Sequence, residues 1–155
     1  MMKKSLITVC ILLFSCSTFI YAQTQKKAAH SKHVVYADNI DAPLTVKELQ
    51  QIKEVYGTET EKLILNNPQR LKDLKNILRH RVEILELPGK KLSSFRNLSS
   101  VPLNRNFNLS LQRDLSFNKT TFNPLKYQFA FFSKESTTVR VDNTQYLIVI
   151  KSQFE

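Results

Sequence analysis

The sequence predicts an α+β domain, with short helices in its first half packed on a C-terminal antiparallel β-sheet. Two observations carry this. Apolar residues recur at helical spacing between Thr45 and Leu78. β-branched and aromatic residues then crowd three short runs between Lys126 and Lys151, separated by polar turn sequences.

The first helix starts at Thr45. Thr45-Val-Lys-Glu48 is a capping box: the Thr hydroxyl accepts from a free backbone N–H and Glu48 reaches back. Leu49, Ile52, Val55 and Tyr56 follow on one face, and Gly57 suits a left-handed cap. A second helix, about 59–66, turns Leu63 and Ile64 inward. Asn67-Pro68 then reads as N-cap and first residue of a third helix. That helix presents Leu71, Leu74, Ile77 and Leu78 to a core, with Lys72, Lys75 and Arg79 on its other side. Residues 81–87, RVEILEL, fit a helix extension or a strand, and Pro88-Gly89 favours strand and turn.

Residues 88–126 are rich in Ser, Asn and Arg. The alternations Phe107-Leu109-Leu111 and Leu115-Phe117 fit short, half-buried strands. KYQFAFF (126–132), TTVRVD (137–142) and YLIVIK (146–151) predict an antiparallel meander. Tyr146 to Ile150 is apolar on both faces, which places it centrally in the sheet.

The chain begins with Lys3 and Lys4, an apolar run from Leu6 to Ala22, and then a polar segment. This is the pattern of a secretory signal peptide over 1–22, cut after Ala22. A lipoprotein box at Leu13-Phe14-Ser15-Cys16, with lipid on Cys16, is the rival. Its bulky Phe14 and the apolar residues after Cys16 fit that pattern poorly. An uncleaved anchor is the third reading, but a helix over 6–22 spans only about 25 Å, short of the ~30 Å hydrocarbon core. Residues 23–43 read as a flexible arm and 44–155 as a single domain. The expected location is therefore the periplasm or the exterior, with an outer-membrane lipoprotein as the alternative.

Both cysteines, Cys10 and Cys16, lie in the leader. The mature domain has no disulfide, thiolate metal site or cysteine nucleophile. Its two glycines, Gly57 and Gly89, stand alone, which argues against phosphate-cradling loops and nucleophile elbows. His30 and His33 have metal-ligand spacing, but Asp38 and Asp41 are the sole nearby candidates for a third ligand, and two solvated tail histidines are the simpler reading. His80 lies between Arg79 and Arg81, and Glu83, Glu86 and Asp114 form no evident acid–base pair. Arg113-Asp114 reads as a local ion pair and Asp142 as a turn residue. No cofactor or metal is expected.

Charge is the remaining signal. Residues 67–134 carry 13 basic and 4 acidic side chains, a local +9. Arg79, Arg81, Lys90, Lys91, Arg96, Arg105 and Arg113 are the expected contacts for an anionic partner. That partner would be an envelope protein or an anionic envelope polymer. Nucleic acid is not expected, and a membrane only if Cys16 is lipidated. A small cell-wall hydrolase using His80, Glu83, Glu86 and Asp114 is one alternative. An inhibitor or chaperone-like protein using a sheet edge is another.

The stretches FNPLKYQFAFF (122–132) and VRVDNTQYLIVIKSQ (139–153), with the leader end YAQ (21–23), resemble small exported proteins of flavobacteria and their relatives. The resemblance covers about the last two-thirds of the mature chain. It implies a Gram-negative envelope setting and no catalytic activity.

Overall fold

Thr45 caps the first helix in the way its sequence requires. Its hydroxyl accepts from Glu48 N–H at 3.2 Å, and the Glu48 carboxylate accepts from Thr45 N–H at 2.8 Å. The computed structural model describes residues 33–154 apart from Lys91. Helix α1 runs Val46–Tyr56 and α2 runs Pro68–Asn76, with Asn67 as N-cap. A π-helical turn, Glu61–Leu65, lies between them, and a second one, Ile77–Arg81, leads directly into strand β1, Val82–Glu86. The remaining strands are β2 (Arg96–Asn97), β3 (Thr137–Arg140) and β4 (Tyr146–Ile150).

The domain is α+β, and its sheet is mixed. The strand order is β1-β4-β3-β2. β4 pairs antiparallel with both β1 and β3, so Tyr146–Ile150 is central as its apolar character requires. β2 lies parallel to β3, which corrects the expected antiparallel meander. The DNTQ turn closes the β3–β4 hairpin, with Asn143 in the left-handed region at φ 56°.

KYQFAFF is not a strand. Asn123 and Pro124 start a 3₁₀ turn over Pro124–Lys126, and Tyr127 keeps one bridge, to Leu103. Phe129 N–H then bonds Tyr127 C=O at 2.8 Å, and Phe131 N–H bonds Phe129 C=O at 2.9 Å. These tight local turns use groups a ladder would need. The alternation has another cause. Phe122 and Tyr127 enter the core over the sheet with Val139, Val141, Ile148 and Ile150. Leu125 enters a second core with Ile52, Val55, Ile64, Leu74 and Ile77. The segment threads between two cores, so its Leu125 meets the helices while its rings meet the sheet.

The strands expected at 107–111 and 115–117 are also absent. Asn108 accepts from both N–H and hydroxyl of Ser110, and Asn118 does the same for Thr120. Such side-chain bonds offer the backbone a turn in place of a ladder.

Residues 33–43, expected to be part of a flexible arm, are fastened to the domain. Asn76 accepts from Ala37 N–H at 2.9 Å and donates to Val35 C=O at 2.7 Å. Val34 bridges Phe154, and Ile40 is buried. This strap covers the polar side of α2. Asn76 is therefore buried; Lys75, expected on the solvated face, is buried as well.

Candidate functional site

The expected anionic-partner residues divide into two classes once their contacts are followed. Arg79 grips Glu48 through Nε–Oε1 at 2.6 Å and Nη2–Oε2 at 2.8 Å. It also donates to the carbonyls of Asn39, Ala42 and Pro43. The Arg79 guanidinium holds the Glu48 carboxyl at about 2, against the opposing effect of burial. Arg81 is 2% exposed and donates to Lys151 C=O at 2.9 Å. Its Nε finds no acceptor among the described residues, and burial lowers its affinity for the proton.

Arg113 donates to the carbonyls of Leu98 and Val101, and its guanidinium lies 5.4 Å from the centre of the Tyr127 ring. Arg96 donates to Ser100 C=O at 2.7 Å and Arg105 to Leu111 C=O at 3.0 Å, both from exposed positions. All five arginines thus bind main-chain carbonyls of this chain. Arg79 and Arg81 are interior groups, and Arg113 is half-buried. Lys90 is exposed, as is Lys119, which the expected contact set did not include. Lys91, Cys16 and His30 lie outside the described residues.

A hollow of about 530 Å³ opens beside Arg113. Its lining includes Phe117, Phe122 and Tyr127: Phe122 stacks on Tyr127 at 5.5 Å, and Phe117 packs tilted against Phe122 at 5.4 Å. Its rim carries Asp114, Asp142 and Ser99. Four separate stretches of chain build it, and among its aromatics and acids no sequence spacing signals their meeting.

The acids here are held by structural partners. Asp142 accepts from Ser99 N–H at 2.9 Å and Ser99 hydroxyl at 2.7 Å, which keep its carboxyl low against the effect of burial. It therefore ties the hairpin turn to the loop after β2, beyond the local turn role its sequence predicts. Asp114 does not pair with Arg113. It binds Lys126 Nζ at 2.6 Å, and Glu54 of α1 binds the same ammonium at 3.0 Å. Burial of Lys126 favours losing the proton, but its two carboxylates outweigh this and raise its pKa.

The acids of the hydrolase alternative are each engaged with other partners. His80 lines a hollow beneath the strap, with Tyr36 and Arg79, while Asp114 lines the aromatic hollow. Glu83 meets Lys151 at 3.2 Å, and the Glu86 carboxylate beside Tyr146 raises the pKa of that hydroxyl. Among the described residues no group of three or more His, Cys, Asp or Glu could hold a metal ion. No helix among them is long and apolar enough to cross a membrane.

No protein-family model, curated protein or solved structure matches this chain.

Proposed function

We propose that the chain is an exported, non-catalytic binding module of the cell envelope that engages an anionic component through the loop-rich face of residues 88–126. One observation carries the reading. This segment holds seven basic residues and one acid, and that acid, Asp114, is paired with buried Lys126. The surface cations Lys90, Arg96, Arg105 and Lys119 therefore face solvent without a nearby carboxylate from their own segment. Export is supported by the leader pattern at 1–22 and by the resemblance to small exported flavobacterial proteins. Lipidation at Cys16 is the variant in which the domain is tethered.

The test is retention on an immobilised anionic polymer across a salt series. Binding at low salt that fades by about 0.5 M fits exposed charges, whose screening length falls to about 4 Å there. Lys90→Gln with Lys119→Gln would shift elution to lower salt. A protein that passes freely at low salt refutes the reading.

A sheet-edge partner is the second reading. Lys151 N–H bonds Arg81 C=O and Leu87 N–H bonds Gln145 C=O. That phase turns the backbone groups of Val82, Ile84 and Glu86 to the outer side of β1. Glu83 and Glu86 charge this edge, which works against strand addition.

A further inference from the structure

Two leucines stand out of the loop face with no core to serve. Leu109 is 85% exposed and Leu115 is fully exposed. Each lies one residue beyond an anchor at the same point of the fold. Asn108 donates to Glu54 C=O at 2.8 Å, and Asp114 binds Lys126, which also binds the Glu54 carboxylate. Between the two leucines, buried Leu111 and the Arg105 bond to its carbonyl pin the loop. Arg113 pins its far end to Leu98 and Val101. The leucines are therefore projected by a braced scaffold. Exposed cations flank them, Arg105 before Leu109 and Lys119 after Leu115.

From this geometry we infer that the 105–119 loop docks the protein on an anionic lipid surface, with Leu109 and Leu115 entering the headgroup–acyl boundary. The inference rests on the binding-module reading above and names its partner. Charge complementarity selects the occupant: the exposed cations Lys90, Arg96, Arg105 and Lys119 are attracted to acidic headgroups, as juxtamembrane basic clusters are. The shape selects lipid over protein. The flanking residues Asn108, Ser110, Asp114 and Ser116 are polar and the half-exposed Phe107 ring is stacked on Tyr56, so each leucine stands among polar neighbours, whereas a protein interface wants a continuous apolar patch. Apolar side chains on a cationic face are the general means of interfacial anchoring.

The experiment compares the mature protein from its host with Leu109→Ser/Leu115→Ser, both with the same N-terminus, by co-sedimentation with vesicles. The vesicles are phosphatidylcholine alone or phosphatidylcholine with one-quarter phosphatidylglycerol. Both substitutions fall on exposed positions, and an unchanged thermal melt establishes that the variant folds. The wild type should prefer the anionic vesicles. The double variant should lose about tenfold in partitioning for each leucine, while its elution from the immobilised polyanion stays unchanged. Equal vesicle binding by variant and wild type overturns the inference. So does a wild type retained by the polyanion but not by anionic vesicles, which leaves the binding-module reading standing and points to a protein or polymer partner. A wild type that binds neither overturns both.

Discussion

Glu48 is the place where one substitution reports on the strap, the first helix and the second helix together. Its carboxylate caps α1 at Thr45 and grips Arg79, which in turn holds the carbonyls of residues 39, 42 and 43. Held at about 2 in place of the ordinary 4.5, the ionised group contributes about 3 kcal/mol to folding at neutral pH, at ~1.36 kcal/mol per pH unit of displacement. Because the folded pKa is depressed, this contribution is fully present above pH 4.5 and is lost as pH falls towards 2. Glu48→Gln removes the charge but keeps an acceptor for Thr45 N–H. It leaves Arg79 enclosed with carbonyls alone, and breaking such a pair is costly because one charge stays buried and unmatched. Urea unfolding followed by circular dichroism at several pH values between 7 and 2.5 measures the effect. The variant should be about 3 kcal/mol less stable at pH 7, and the two proteins should converge as pH approaches 2. Parallel stability curves for wild type and variant across that range would refute the assignment of the Glu48–Arg79 pair as the fastening of the strap.

Three other perturbations follow from the same contacts. Asn76→Leu leaves Ala37 N–H and Val35 C=O without their partner, so it should cost about 2 kcal/mol and open residues 33–43 to limited proteolysis. Asn123 is fully buried; it donates to Gln51 C=O and Glu54 and accepts from Leu125 N–H. Asn123→Ala should lower stability by about 3 kcal/mol, read as a shift in the denaturant midpoint. Arg113→Lys keeps the charge but loses the planar fork that spans Leu98 and Val101. It should destabilise by about 1 kcal/mol, checked by thermal melting, whereas Lys119→Arg at an exposed turn should leave the melt unchanged.

Local chemistry made part of the fold legible. The capping box at Thr45, the Asn67-Pro68 start of α2, the Asp142-Asn143 turn and the strand at 82–86 are each specified by a few adjacent residues. The central place of β4 follows from its being apolar on both faces. KYQFAFF (126–132) alternates and yet is no strand, because alternation reports only that successive side chains go opposite ways. It does not say whether they go to the two faces of one sheet or to two separate cores. The interior role of Arg79 was hidden for a related reason. A polar helix face reads as solvated unless another segment covers it, and the strap that covers this one docks through Asn76, some forty residues from Val35 and Ala37. The aromatic hollow was legible only as a list of rings and acids, because its walls come from four distant stretches.

The arginine pattern explains why charge misled where periodicity did not. A domain without disulfides, with long stretches outside helix and sheet, leaves many carbonyls that no ladder satisfies, and each buried one must find a donor. Guanidinium groups supply several donors in one plane, and five arginines between 79 and 113 are used in this way. Much of the basic excess is therefore a consequence of how the loops are held together. What is left over for a partner is narrower: the exposed lysines, the outward faces of Arg96 and Arg105, and the two leucines that the braced loop holds away from the core. The same bonds that withdraw Arg113 from the surface are the ones that fix the loop carrying Leu115, so the structural and the binding roles of this segment are two results of one set of contacts.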